Sequence, residues 1–417
     1  MDLTGKKLLV LGSANPAVEI VQYAQSRGAY VIVTDNLLDE KSAAKKVADE
    51  TAMANAYDVE AVYELAKEKQ VDGIFTGVHE IMLQVMQQVC ERLNLPCYFT
   101  KEQWEKSQNK TNFKALCAEY KVRTPYDYTD KTDVKYPVIV KPVDGCSGEG
   151  ISIVRKPENL KAAIRLAQQS SLSGTYLIEE YIEGNEYNAV YTIKDGIASL
   201  SCVREKFLTQ DRKDVFSQSE MGLIPHRHTQ TFIDTIDAKI RHLIIDGIKL
   251  HNGCAFFQGI EKDNEFVVFE MGLRMNGAAD YINISKLNRI NYLEMMVDYS
   301  LTGIMGEYDL SLDNPLPMSY TCLLTVFAHG GTIGKLGDVE PMLTIPSVER
   351  AFYTRPIGYR IENNTGLYQR VFRAYFMASD IVELSEDIKK VQSLIKVEDE
   401  NGNDMLFKPF DVNRFNA

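Results

Sequence analysis

The sequence predicts a multidomain protein of mixed α/β and α+β class. An open parallel α/β domain comes first, then a middle region built around a glycine-rich hairpin, then a small antiparallel-rich domain. Three observations carry this. Strand and helix patterns alternate from residue 6 to residue 99, as βαβ units do. Residues 136–153 read Tyr-Pro-Val-Ile-Val-Lys-Pro-Val-Asp-Gly-Cys-Ser-Gly-Glu-Gly-Ile-Ser-Ile, a short strand, a loop of small residues and a second strand. Beyond residue 311, short strands separated by glycine turns dominate. At 417 residues the chain exceeds one ordinary core and suits roughly two to four domains.

Composition narrows the function classes. Hydrophobic residues make up 45% and charged residues 25%, which is the balance of a soluble globular protein. A formal net charge of −12 argues against nucleic acid as a partner, because phosphate backbones are held by clustered Lys and Arg. The seven cysteines are scattered with no Cys-x-x-Cys pair, so a reduced cytoplasm is expected. The first residues begin a strand rather than a signal segment, and no run of about 18 apolar residues appears, so neither secretion nor a membrane span is expected. A homodimer, the commonest closed assembly, is the default expectation for oligomeric state.

In chain order, residues 6–12 read as a buried strand, 16–27 as an amphipathic helix and 30–34 as a second strand. A helix over 59–68, a strand over 73–76, a helix over 81–93 and a strand over 95–99 complete the expected parallel sheet. Asp35 lies where a ribose-binding acid would sit, yet the turn Gly12-Ser13-Ala14-Asn15-Pro16-Ala17 lacks the second and third glycines of a dinucleotide fingerprint. NAD therefore ranks last among the ligands. Two helices are expected over 101–120, broken near Ser107-Gln108-Asn109 so that Lys110 begins the second. A helix over 157–169 follows the glycine-rich loop, and residues 175–186 are a strand running into carboxylates and a turn. Residues 187–194 and 197–203 form a hairpin around Asp195-Gly196. Residues 207–230 read as a long polar loop, and 231–250 as a long helix. Strands over 254–260 and 265–269 flank a turn at Lys262-Asp263-Asn264, and helices run from 281 to 303. In the last part, strands are expected over 320–328, 351–353, 358–361 and 371–378, a glycine-rich turn over 330–337, and a helix over 386–395 before a final hairpin.

Several residue patterns bear on chemistry. In the loop after Lys141, Gly145, Ser147, Gly148 and Gly150 allow successive backbone N–H groups to face anionic oxygens, while Lys141 adds a point charge. The bland alternative is an ordinary hairpin with an exposed lysine. Glu270 ends an apolar strand and so offers a carboxylate at a sheet edge, the kind of hard oxygen that Mg²⁺ takes alongside ATP phosphates. Arg274 suits charge on a transferring phosphoryl group, unless the two form a strand-end ion pair. His79 and Glu80 follow a strand at its carboxyl end, where open α/β sheets gather ligands, and are candidate substrate contacts; capping a helix is the alternative. Arg204 and Lys206 are candidates to clamp a substrate carboxylate, against a reading as a solvated strand end. The triplet His226-Arg227-His228 is not expected to bind metal, because neighbours on a strand face opposite ways.

The strand, the glycine-rich loop, a helix and an acidic strand with its turn together resemble the nucleotide-binding lid of the ATP-grasp superfamily. The order of parts is similar to that family over nearly the whole chain, and most like the branch of biotin carboxylase, carbamoyl-phosphate synthase and L-amino-acid ligases. The resemblance implies an N-terminal domain over 1–106, an ATP-grasp domain over 107–310 with its lid at about 124–186, and a C-terminal domain over 311–417. It implies ATP, with Mg²⁺ or in its place Mn²⁺. Lys110 and Lys141 would contact phosphates, with Lys141 and Arg274 acting in catalysis. Ser147, Gly148, Glu149 and Gly150 would form the loop over the phosphates. Glu179, Glu180, Tyr181 and Ile182 would form the hinge, with backbone groups of Glu180 and Ile182 reading the adenine edge, and Glu186 would hold the ribose. Glu270 matches the metal-bridging glutamate of a Glu-x-Asn-x-Arg signature.

Two departures stand out. Gly272 occupies the asparagine position, and Gln258 stands where a second metal carboxylate is usual; Asn276 is the candidate to supply the missing amide oxygen. The implied activity is an ATP-dependent ligase joining a small carboxylate to an amine through an acyl phosphate, with release of ADP and phosphate. A bicarbonate-activating enzyme and an ATP-binding protein with weak or no catalysis are the alternatives.

Overall fold

The computed structural model describes residues 1–13, 15–130, 132–144, 150–209, 218–363 and 365–416. Strands β1 (Lys7–Leu11), β2 (Tyr30–Thr34), β3 (Glu50–Ala52) and β4 (Gly73–Phe75) form a parallel sheet in the order β3-β2-β1-β4. Helices α1 (Asn15–Ser26) and α2 (Val59–Lys69) connect β1 to β2 and β3 to β4, and α3 (Glu80–Leu93) follows β4. Asp58 starts α2 by accepting from the N–H groups of Glu60 and Ala61, two of the donors a helix start leaves open. The fourth strand is not where the sequence placed it. Residues 95–99 form no strand: Pro96 lacks a ladder donor, and Tyr98 instead turns inward to donate its hydroxyl to the Leu273 carbonyl at 2.7 Å. The sheet edge is taken by β3, which is too short and polar to read as a strand.

Helix α4 (Lys101–Gln108) opens with a capping box of Thr100 and Gln103, and α5 (Lys110–Glu119) opens on Asn109, whose side chain accepts from the N–H groups of Thr111 and Asn112. The lid follows: β5 (Val138–Pro142), β6 (Ser152–Val154) and β7 (Tyr176–Glu180) form an antiparallel sheet in the order β6-β5-β7, covered by α6 (Leu160–Gln169). The lid has a core of its own, in which Val138, Val140, Val154, Ala163, Ala167 and Ile178 are buried together.

Next come β8 (Asn185–Lys194), β9 (Ile197–Leu208), β10 (Ser219–Ile224), β11 (Gly253–Lys262) and β12 (Glu265–Gly272). The turn between β8 and β9 places Asp195 and Gly196 at φ of 52° and 77°, as a tight hairpin turn requires. Strand β10 corrects the expectation of a continuous loop over 207–230: Met221 to Ile224 are buried and pair with both β9 and a later strand, so ladder bonds override a sequence of weak pattern. Asp211-Arg212-Lys213-Asp214, expected in that loop, lie outside the described residues. Residues 229–248 are helical throughout, as expected.

The C-terminal part adds β13 (Tyr320–Phe327), β14 (Gly331–Leu336), β15 (Val348–Tyr353), β16 (Arg360–Ile361), β17 (Arg370–Ala378) and β18 (Val397–Asp399). Strand β14 replaces the expected turn over 330–337; Ile333 is fully buried and the strand pairs with β16 and β18 despite its glycines. The remaining strands do not make a separate sheet. They extend the middle one into a single eight-stranded sheet in the order β12-β11-β8-β9-β10-β13-β17-β15. One core spreads from the N-terminal sheet to β8, β9, β11 and β12, and a second packs the helix Ile381–Leu394 on the outer face of β13 and β17.

Candidate active site

One cleft of about 2700 Å³ lies among the parallel sheet, the lid and the eight-stranded sheet. Its lining includes Lys110, Lys141, Glu179, Glu186, Glu270 and Arg274, and also His79, Glu80, Glu180, Tyr181, Ile182, Arg204, Lys206, Gln258 and Asn276. Gly150 stands outside that lining at φ 74°, a conformation glycine adopts without strain, and a Cβ there would meet Ser170. Ser147, Gly148 and Glu149 lie outside the described residues.

At the lid, the buried ammonium of Lys141 lies 2.7 Å from Glu179 Oε2, and Lys114 Nζ lies 2.8 Å from Oε1 of the same carboxylate. Lys114 continues the chain to Asp127 at 2.5 Å and donates to the Pro125 carbonyl at 2.8 Å. Glu179, only 2% exposed, is therefore compensated on both oxygens. Reading the sequence missed Lys114 and Asp127; their signal lies in register, since an antiparallel bridge sets Asp127 against Glu179 on β7. Lys110, the first residue of α5, reaches from outside the lid to donate to the Val143 carbonyl at 3.1 Å. Burial pushes its pKa down, and the nearby Lys141 ammonium adds to the shift.

The hinge follows β7. The Glu180 N–H donates to the Tyr126 carbonyl at 2.9 Å, and its carboxylate turns to the Tyr126 N–H at 3.1 Å and to Arg123 at 3.5 Å. The Ile182 N–H makes no hydrogen bond among the described residues, which leaves a main-chain donor on the cleft wall. Tyr181 packs under the Arg155 guanidinium at 5.5 Å. Glu186 and Lys206 are directly paired across β8 and β9 and form an ion pair of 2.5 Å, so Lys206 is not a solvated strand end. Arg204, also buried, faces Asp280 at 3.5 Å.

On the opposite wall, Gln258 and Glu270 are cross-strand partners on β11 and β12. Glu270 is exposed at the sheet edge, and the side-chain pairing with Arg274 that the sequence allowed does not form. Arg274 instead binds Glu80 Oε1 at 2.7 Å and lies 4.9 Å over the Phe256 ring. That ring also accounts for Gly272: a Cβ there would penetrate Phe256, which fills the space an asparagine side chain would need. Asn276 is committed elsewhere, donating to Asp280 Oδ2 at 2.6 Å and accepting from the Asp280 N–H at 3.3 Å. Among the described residues no group of three or more His, Cys, Asp or Glu could hold a metal by itself. One carboxylate, Glu270, with the Gln258 amide beside it, is nevertheless a donor set that fits an Mg²⁺ ion whose other ligands are nucleotide phosphates and water.

Near Arg274, Tyr57 and His79 meet at 3.2 Å between the hydroxyl and Nε2. Burial lowers the His79 pKa, against the opposing effect of Glu80. His226 is buried against Tyr187 and pushed down to about 3 by desolvation, and His228 faces Glu261 at 3.5 Å. The triplet lies after β10 in a turn rather than on a strand, and the His226 and His228 rings stand 5.8 Å apart.

Comparison with known proteins fits this geometry. A family profile described as "ATP-grasp domain" matches residues 107–278. The chain is 29% identical over 193 residues to the formate-dependent phosphoribosylglycinamide formyltransferase of Synechococcus elongatus, a match over 43% of this chain and 49% of that protein. The chain thus spans about half the length of the curated relatives it matches. Among solved structures, an L-amino acid ligase from Bacillus licheniformis superposes with a TM-score of 0.78 over 95% of this chain and 99% of that one, at 17% identity. A phosphoribosylglycinamide synthetase from Anaerococcus prevotii gives 0.76 over 94% and 99%, at 16% identity. At such identity the likeness is one of fold. No helix among the described residues is long and apolar enough to cross a membrane. Residues 107–278 of this chain, which hold the lid and strands β8 to β12, are an ATP-grasp domain.

Proposed function

We propose that the protein is an ATP-dependent ligase that joins a small-molecule carboxylate to an amine. The single observation that carries this reading is the convergence of Lys110 from α5, Lys141 from the lid, and Glu270 and Arg274 from the β12 side on one cleft. In the proposed reaction a carboxylate oxygen of the substrate attacks the γ-phosphorus of ATP, the bond to the β-phosphate oxygen breaks, and ADP leaves. The amine nitrogen then attacks the acyl carbon, inorganic phosphate departs, and the nitrogen gives up a proton. Phosphoryl transfer asks a protein mainly to position reactants and to neutralise charge, so no covalent nucleophile is required.

Lys141, oriented by Glu179, and Lys110 supply fixed positive charge to the phosphates. Arg274, held by Glu80, supplies a fork of donors to the group in transfer. The open N–H of Ile182 and the carbonyl of Glu180 read adenine, and Glu186 takes the ribose. Glu270, with Gln258, holds Mg²⁺, which when bound neutralises phosphate charge. The domain divisions near residues 106 and 310 then separate an acceptor-side domain from the nucleotide-binding one. The six described cysteines are all free, which supports a cytoplasmic site of action. The formyltransferases matched above are named for formate and an amine-bearing glycinamide, a pairing of acid and amine that supports the same class of reaction here.

The test is incubation with Mg-ATP, pooled small carboxylates and hydroxylamine, followed by ADP, AMP and hydroxamate together. ADP with hydroxamate is expected; AMP overturns the mechanism. Lys141→Ala or Glu270→Ala retaining full turnover would overturn the residue roles. The single carboxylate at the metal edge favours one competing reading, a nucleotide-binding protein without turnover. It is distinguished by ATP binding with no ADP released on any pool.

A further inference from the structure

Away from the nucleotide side, the cleft is walled by β17 and its neighbours. Along a regular strand, residues three positions apart face opposite sides, so Arg370 and Arg373 ought to part company. The ladder between β13 and β17 skips at this point: Val326 pairs with Phe372 and Phe327 with Arg370, which leaves Val371 as the extra residue of a β-bulge. The alternation is reset, and both arginines line the cleft while Phe372, Ala374 and Phe376 fill the core behind. Arg355 joins them because Thr354 is tied to the same strand, its N–H donating to the Val371 carbonyl and its hydroxyl to the Arg370 carbonyl, each at 2.8 Å.

None of the three has an acidic partner among the described residues. Arg373 donates only to the Gly277 carbonyl at 2.8 Å, Arg355 lies 4.6 Å over the Tyr359 ring, and the Arg370 side chain makes no hydrogen bond there. The Nε atoms of all three are buried and unpartnered. Nearby Arg350, by contrast, is paired with Glu19 at 2.8 Å. Burial, then the charges of Arg373 and Arg355, push the Arg370 pKa down to about 9. Three half-buried guanidinium groups, each with its Nε enclosed and unpartnered, repelling one another in a protein of net charge −12 are a cost without a structural return. Their forks of N–H donors suit an anion with several oxygens, and a bulge spent on turning Arg370 into the cleft gives that anion a built site.

We propose that Arg355, Arg370 and Arg373 bind a dianionic group, a phosphate monoester or a pair of adjacent carboxylates, carried by the substrate that meets the nucleotide in this cleft. That a substrate carries this anion rests on the ligase reading; the anion site does not.

The experiment is calorimetric titration of the full chain with inorganic phosphate and, separately, malonate, with a non-hydrolysable ATP analogue and Mg²⁺ saturating the nucleotide site. The same titrations are run on Arg370→Gln, Arg373→Gln and Arg370→Lys. Wild type is expected to bind at least one of the two anions. The glutamine variants should lose at least tenfold in that affinity and Arg370→Lys less, with affinity for the ATP analogue changed under twofold. Phosphate alone binding assigns a phosphate monoester, malonate alone a dicarboxylate. A second readout separates binding from architecture: without anion, Arg370→Gln should melt higher than wild type, whereas a structural arginine would make it melt lower. The proposal is overturned if neither anion binds at millimolar concentration, or if the glutamine variants bind as wild type does. If the ATP analogue itself fails to bind, the ligase reading falls, and anion titration of the nucleotide-free protein still decides this one.

Discussion

On the lid side of the cleft, Glu179 sits between Lys141 at 2.7 Å and Lys114 at 2.8 Å, and the chain of alternating charge ends at Asp127. On the β17 side, Arg370 and its two neighbours are half-buried with their Nε atoms enclosed, carry one sign of charge and, among the described residues, have no counter-ion. Both groups are desolvated, yet only the first is internally compensated. A buried charge whose partners are side chains belongs to the architecture, because removing either partner strands the other. A buried charge whose partners are absent from the fold is kept for something that arrives. The same physical term, desolvation of an ion, thus stabilises an orientation at one wall and creates affinity at the other.

The comparison is most strongly tested by Glu179→Gln, which removes the shared counter-charge of two buried ammonium groups. A loss of about 3–5 kcal/mol in urea denaturation is expected; a loss below about 1 kcal/mol would show that the lid chain is not architectural. Gly272→Asn comes next. It restores the residue expected of the signature but drives its side chain into Phe256, and the overpacking should cost about 1–3 kcal/mol, recovered when Phe256→Ala is added.

Arg370→Gln should do the reverse of Glu179→Gln and stabilise the anion-free protein by on the order of 1 kcal/mol. The pH dependence has a definite sign. Arg370 is held down to about 9 from an ordinary 12.5, so above about 9 the native state releases a proton that the unfolded chain still binds. Stability then rises with pH. The advantage of Arg370→Gln over wild type should be full below about pH 9 and shrink above it, as measured by denaturation of both proteins side by side. The smallest effect is expected from Gln258→Glu, which places a second carboxylate across the ladder from Glu270; Mg²⁺ affinity with ATP analogue bound should rise several-fold by calorimetry, with thermal stability nearly unchanged.

Much of the lid-side chemistry was legible because it is written in runs. Val138 to Lys141 and residues 175–186 place their charges at strand ends, and the polar break at Ser107-Gln108-Asn109 marks the start of α5. What could not be read depends on register. Arg355, Arg370 and Arg373 are separated by turns, and Arg370 faces the cleft only because Val371 bulges. Lys114 looks like an ordinary helix lysine until the bridge between Asp127 and β7 sets Glu179 beside it. The misread segments fail for the same reason. Residues 95–99 have strand composition, but Tyr98 is claimed by the Leu273 carbonyl, while β10 and β14 have poor composition and are held by neighbours on both sides.

The eight-stranded sheet joins Glu270 on β12 to Arg373 on β17 through continuous pairing of neighbouring strands, bulged in places. Those two walls therefore work as a fixed anvil, and distance between the nucleotide end and the anion end is set at folding rather than at binding. Only the lid, with its separate small core, is free to act as the hammer. Amide exchange should accordingly slow across β5–β7 when nucleotide is added and stay unchanged in β8–β13. A substrate for this protein would have to fit a ruler of constant length, and selectivity would come from its reach as much as from its charge.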